Sequence, residues 1–169
     1  MRKAAKIGVP QMTSTNLRVI CPSRKKLRAG DIFAMQLPDE KYLFGRVIFV
    51  DLPSSKAPMP KANLLYIYRD RHDTKTPEID HLTPDRFLIP PVFTNRQGWN
   101  QGVFETVDHR PLLSGDLLPQ HCFRDFTGEY YDENMNRLPG PIEPCGSWGL
   151  ASYQYIDDQI SEALGLARA

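Results

Sequence analysis

The chain predicts an α+β fold, a curved and mainly antiparallel sheet with one helix at its C-terminal end. Three observations carry this. Apolar runs rich in β-branched and aromatic residues recur between residues 30 and 107, separated by turns bearing proline and glycine. Fifteen prolines in 169 residues argue against long helices, because each removes a backbone donor and fixes φ. Only residues 151–165 repeat apolar side chains at three- and four-residue spacing. A partly open SH3-like barrel is one form such a sheet takes.

The first element is a hairpin. Two apolar runs within residues 30–50 flank Pro38-Asp39-Glu40-Lys41, a turn of about four residues. In the second run Tyr42, Phe44, Arg46, Ile48 and Val50 alternate with Leu43, Gly45, Val47 and Phe49. Both faces are apolar, which predicts a central or strongly curved strand. Gly45 inside it predicts a bulge or a close backbone approach. After a proline-rich loop, residues 64–68 read as a third strand and residues 86–94 as a fourth. Pro90 and Pro91 place that fourth strand at an edge. Residues 98–107 read as a fifth strand, and residues 112–140 as mostly irregular. In the helix, Tyr153, Ile156, Ile160 and Leu164 form one stripe, with Asp157, Asp158, Gln159 and Glu162 on the other side and Gly165 as the stop. The reading is a single domain over residues 1–169. It has a basic segment at 1–28, a β-rich core at 30–107, an irregular stretch at 108–150 and a helix at 151–165.

The net charge is +1, which excludes a globally basic nucleic-acid binder and a strongly acidic nucleic-acid mimic. The charge is uneven along the chain. Residues 1–30 hold eight Lys and Arg and no acid, whereas residues 125–169 hold eight acids and only Arg137 and Arg168. Arg24, Lys25, Lys26 and Arg28 lack interleaved aromatics and read as a solvated face rather than a nucleic-acid surface. No apolar run approaches the ~20 residues that span a bilayer, and no secretory leader is visible at the N-terminus. Three cysteines without CxxC spacing, Cys21, Cys122 and Cys145, read as free thiols of a reducing, cytoplasmic compartment.

Few constellations could carry chemistry. Asp70, His72, Asp73, Asp80 and His81 supply metal-ligand types, but converge only if their loop folds back. The bland reading is a solvated polar loop. His109 and His121 are candidate partners for a reactive Cys122 or Cys145. His121 suits Cys122 poorly, since neighbours on a strand point to opposite faces. Gly146-Ser147-Trp148-Gly149 lacks the nucleophile-elbow spacing, and phosphate-cradling glycine motifs are absent. Residues 123–134 differ. Glu129, Tyr130, Tyr131, Asp132 and Glu133 combine rigid aromatic area with charge, a composition suited to a protein interface. An exposed aromatic groove around Tyr42, Phe44 and Tyr66 would instead favour a regulatory SH3-like module.

Gly30-Asp31-Ile32-Phe33-Ala34, followed by Tyr42-Leu43-Phe44-Gly45-Arg46-Val47, resembles the opening hairpin of the immunity protein 26 family. Gly98-Trp99 and Gly146-Ser147-Trp148 are the two candidates for that family's later Gly-x-Trp element. The resemblance implies a cytosolic bacterial protein that binds and neutralises a cognate polymorphic toxin by stoichiometric contact. It implies no catalytic residue and no cofactor. The partner is then a protein, with no nucleic acid or membrane, and charge-steered association slows as salt is added. The family is sometimes joined to phosphotriesterases of the HocA type. That alternative is a hydrolase acting on organophosphate triesters, with a divalent metal held by His72, Asp73, Asp80 and His81. The His-x-His ligand pair of zinc phosphotriesterases is absent from the sequence.

Overall fold

The structure, a computed structural model, describes residues 14–169. The first part of the basic segment, with Lys3 and Lys6, lies outside the described residues. Six strands form the main sheet: β1 (Asp31–Gln36), β2 (Tyr42–Leu52), β3 (Ala62–Tyr68), β4 (Phe87–Thr94), β5 (Glu105–His109) and β10 (Leu150–Ala151). Their order is β10-β4-β3-β2-β1-β5, antiparallel except where β10 runs parallel to β4. The remaining strands, β6 (Cys122–Arg124), β7 (Tyr130–Tyr131), β8 (Arg137–Leu138) and β9 (Cys145–Ser147), form a second sheet in the order β8-β7-β6-β9. A short α1 (Gln97–Asn100) precedes β5, and α2 (Tyr153–Leu164) follows β10. The α+β class stands, with two open sheets that do not close into a barrel.

Both faces of the main sheet are covered. On one side Phe33, Met35, Leu43, Val47, Leu65 and Ile67 pack against Leu17, Leu27, Trp99, Phe104, Ile156 and Ile160. On the other, Ile32, Ala34, Phe44, Ile48, Leu64, Tyr66 and Tyr68 pack against Leu82, Phe123 and Trp148. This explains why β2 is apolar on both faces. Its alternation breaks twice. The β2–β3 register shifts between Val47 and Phe49, so Phe49 joins the side of Phe44 and Val50 joins that of Val47. The second break comes between Phe49 and Leu52, which puts Leu52 on the side of Phe44. Both irregularities therefore lie beyond Val47, and Gly45 serves the close approach.

The residues of the opening hairpin have structural duties. Gly30 has φ of 97°, and a Cβ there would stand 2.3 Å from the Arg110 carbonyl oxygen. The buried Asp31 carboxylate accepts from the Arg28 N–H at 2.9 Å and contacts His109 Nδ1 at 2.8 Å. Arg46 is only 2% exposed. It pairs with Asp116 at 3.2 Å and donates to the Arg110 carbonyl at 2.9 Å.

Several expectations are corrected. β4 is not the edge strand. β10 pairs with it at Phe93 and Thr94, beyond the two prolines that lack ladder donors. Residues 97–100 are helical rather than extended. The Asn95 side chain accepts from the Gln97 N–H at 3.0 Å, and Gly98 lies against the Phe104 ring. Residues 108–150 are not merely irregular, because they contain the second sheet. In α2, Ser152 caps the start by accepting from the Tyr155 N–H at 3.1 Å, and Gly165 closes the end with φ of 71°. Asp157 does not face solvent. It is buried, and its two oxygens accept from the N–H groups of Asn16 at 3.0 Å and Leu17 at 2.7 Å.

Candidate functional site

The second sheet carries the candidate interface. Its strands are too short to stand alone, so Phe123 fastens them to the main sheet. The Phe123 ring lies 4.6 Å from that of Phe93, and Trp148 meets Phe93 edge-on at 5.3 Å. From this anchored base the β6–β7 turn projects outward. Asp125 Oδ1 accepts from the Thr127 N–H at 2.9 Å, the Thr127 hydroxyl at 2.6 Å and the Glu129 N–H at 3.0 Å. These bonds hold the Asp125 carboxyl below the usual range, the Thr127 hydroxyl contributing most. Gly128 supplies a φ of 86°. The turn holds up Phe126, whose surface is 99% exposed.

The predicted interface residues lie just beyond it. Tyr130 and Tyr131 form β7 and are half-buried. Glu129 pairs with Arg137 at 2.6 Å. Asp132 shapes the next turn, with Oδ1 accepting from the Asn134 and Asn136 N–H groups, each at 2.9 Å. Glu133 accepts from the His121 N–H at 2.9 Å. The carboxylates thus build the surface as well as charge it. Residues 124–137 hold four acids against Arg124 and Arg137, so the patch stays negative.

Beneath the patch lies a buried polar chain. Tyr66 oxygen accepts from the Leu118 N–H at 3.2 Å and meets His121 Nε2 at 2.5 Å. Burial raises the Tyr66 hydroxyl to about 12, so it stays protonated and shares a hydrogen bond with Nε2. His121 Nδ1 lies 3.6 Å from Glu133, beyond a hydrogen bond. Burial holds His121 below its usual value, against the opposing pull of Glu133. A cleft of about 240 Å³ opens beside this chain, lined by Phe49, Leu52, Lys56, Phe93, Glu133 and Asn134.

The residues proposed for a metal do not assemble one. His72 and His81 stand 5.4 Å apart by ring centres. Burial holds His72 below its usual value, and His81 lowers it further. Asp73, however, pairs with Lys41 at 2.7 Å, Asp70 is engaged by Arg86, and Asp80 is exposed. Among the described residues no group of three or more His, Cys, Asp or Glu could hold a metal ion. The donor set therefore does not fit a divalent cation. Tyr42, Phe44 and Tyr66 form no open groove, because Phe44 and Tyr66 are buried. His121 is no partner for a Cys122 nucleophile, since its ring is engaged by Tyr66. Arg24, Lys25, Lys26 and Arg28 are exposed.

Sequence reasoning passed over Phe126 as an individual residue. The signal was present in Asp125-Phe126-Thr127-Gly128, an aspartate-led turn with a lone aromatic at its tip. No helix among the described residues is long and apolar enough to cross a membrane. No curated protein and no solved structure matches the chain. One protein family does, immunity protein 26, over residues 28–129, which is more than half of the chain. The matched span opens just before Asp31, runs through Arg46 with its contacts to Asp116 and Arg110, and closes on the turn that carries Phe126. The chain belongs to the immunity protein 26 family.

Proposed function

We propose that this protein neutralises a bacterial polymorphic toxin by binding it stoichiometrically, with the β6–β7 turn and the 129–133 patch as the docking surface. One observation carries the proposal, the full exposure of Phe126 on a turn fixed by Asp125. An aromatic ring left in water on a turn whose backbone is already fixed asks for little backbone ordering on binding, which suits an interface anchor. Around it, Glu129, Tyr130, Tyr131, Asp132 and Glu133 offer a negative, half-aromatic rim. The matching partner surface is a cationic region with an apolar socket, and occlusion of that region stops the toxin.

The test is titration calorimetry against a toxin that co-purifies with the full chain. A one-to-one complex is expected, with Phe126→Ala weakening it by at least about 2 kcal/mol, roughly 30-fold. Unchanged affinity of a folded Phe126→Ala variant would remove the turn from the interface.

A further inference from the structure

We infer that Cys122 and Cys145 are a modification site, a thiol pair that closes to a reversible disulfide on exchange with a low-molecular-weight disulfide. The two residues face each other across the parallel β6–β9 pair, and their sulfurs stand 2.9 Å apart. Neighbouring strands lie about 4.8 Å apart, within the Cα separations that disulfides span, so the backbone need not move to close the bond. Cys145 is half-buried and lines a cleft of about 160 Å³ shared with Pro90, Pro91, Tyr155 and Gln159. Cys122 is buried behind it. A small disulfide entering that cleft therefore reaches Cys145 first, with Cys122 placed to resolve the product.

With oxidised glutathione as reagent, the Cys145 thiolate attacks one glutathione sulfur and expels the other as a thiolate. Cys122 then attacks the Cys145 sulfur of this mixed disulfide and expels the second glutathione. The two protein thiols lose their hydrogens, and two molecules of reduced glutathione carry them away. Burial raises Cys145 to about 12, with the Cys122 sulfur beside it adding to the rise. Exchange is therefore slow at neutral pH and quickens as the solution becomes alkaline. The bond would enclose the segment that bears Phe126 and the 129–133 patch, although the inference does not depend on what that surface binds.

The experiment treats the full chain with oxidised glutathione overnight at pH of about 8.5, followed by intact-mass measurement and peptide mapping. The exposed Cys21 serves as an internal control, because it accepts a glutathione and can do nothing further. The expected products are one glutathione adduct on Cys21 and a linked peptide pair containing Cys122 and Cys145, both undone by dithiothreitol. In Cys122→Ala, or in the milder Cys122→Ser, Cys145 should instead retain its own glutathione. Recovery of the natural chain with Cys145 carrying glutathione, or with both thiols free, would overturn the inference.

Discussion

The Phe33 ring lies flat against the bare backbone of Gly45. The two are direct partners across β1 and β2, and a Cβ on Gly45 would fall 2.2 Å from Phe33 Cζ. The ring then meets Trp99 edge-on at 5.1 Å, so a strand glycine becomes the floor of the core. Gly45→Ala should destabilise the fold by about 1–3 kcal/mol through overpacking. Pairing it with Phe33→Leu should cost less than the sum of the single changes, as measured by urea unfolding. Strict additivity would show that the ring does not rest on Gly45.

Arg46 gives a second prediction. Its guanidinium is buried and relies on Asp116, whose side chain stays partly open to water. Asp116→Ala leaves the cation without its counter-charge and should cost about 3 kcal/mol, while Asp116→Glu should recover part of the loss. A loss under about 0.5 kcal/mol would reduce this pair to an ordinary surface bridge.

His121 sets a pH dependence. In the unfolded chain it protonates near 6.5, whereas burial holds it lower in the fold. The unfolded state therefore takes up its proton first as pH falls. Stability present above about 6.5 should be lost as pH drops through the folded value, by up to about 1.4 kcal/mol per unit. His72 is shifted in the same direction and adds a smaller share, being more open to water. Urea midpoints should fall between pH about 7.5 and 5, with a shallower slope in His121→Gln. Identical slopes would assign the effect elsewhere.

Asp157 ties α2 to the segment preceding β1. Asp157→Ala strands two N–H groups, one of them fully buried, at a cost of about 2–3 kcal/mol. Limited proteolysis should then cut near residues 16–20 sooner than in the natural chain. Unchanged cleavage there would show that Leu17 packing and the backbone bonds from Arg18 to Gln36 and from Ile20 to Gly102 hold the segment without Asp157.

Most of the main sheet was legible because its signals are long, whereas the two-residue β10 was missed and β4 was misplaced at an edge. The first hairpin, β3 and α2 each run over enough residues for apolar spacing to show, and Gly165 marks the helix end. The second sheet was not legible, since strands of two or three residues carry no period to detect. Helical spacing also misplaced Asp157, because a carboxylate can sit inside when it takes two backbone donors from a distant segment. At the candidate site, composition pointed to residues 129–133. The local role of each carboxylate, and the isolation of Phe126, emerged only with the turns in place.

Because both faces of the main sheet are covered, no broad flat surface of it is left to meet another molecule. What stays outside the layers are loops and turn tips, which tolerate substitution and changes of length without disturbing what lies beneath. A chain built in this way can vary at its turn tips, residues 124–137 among them, while keeping one unaltered frame.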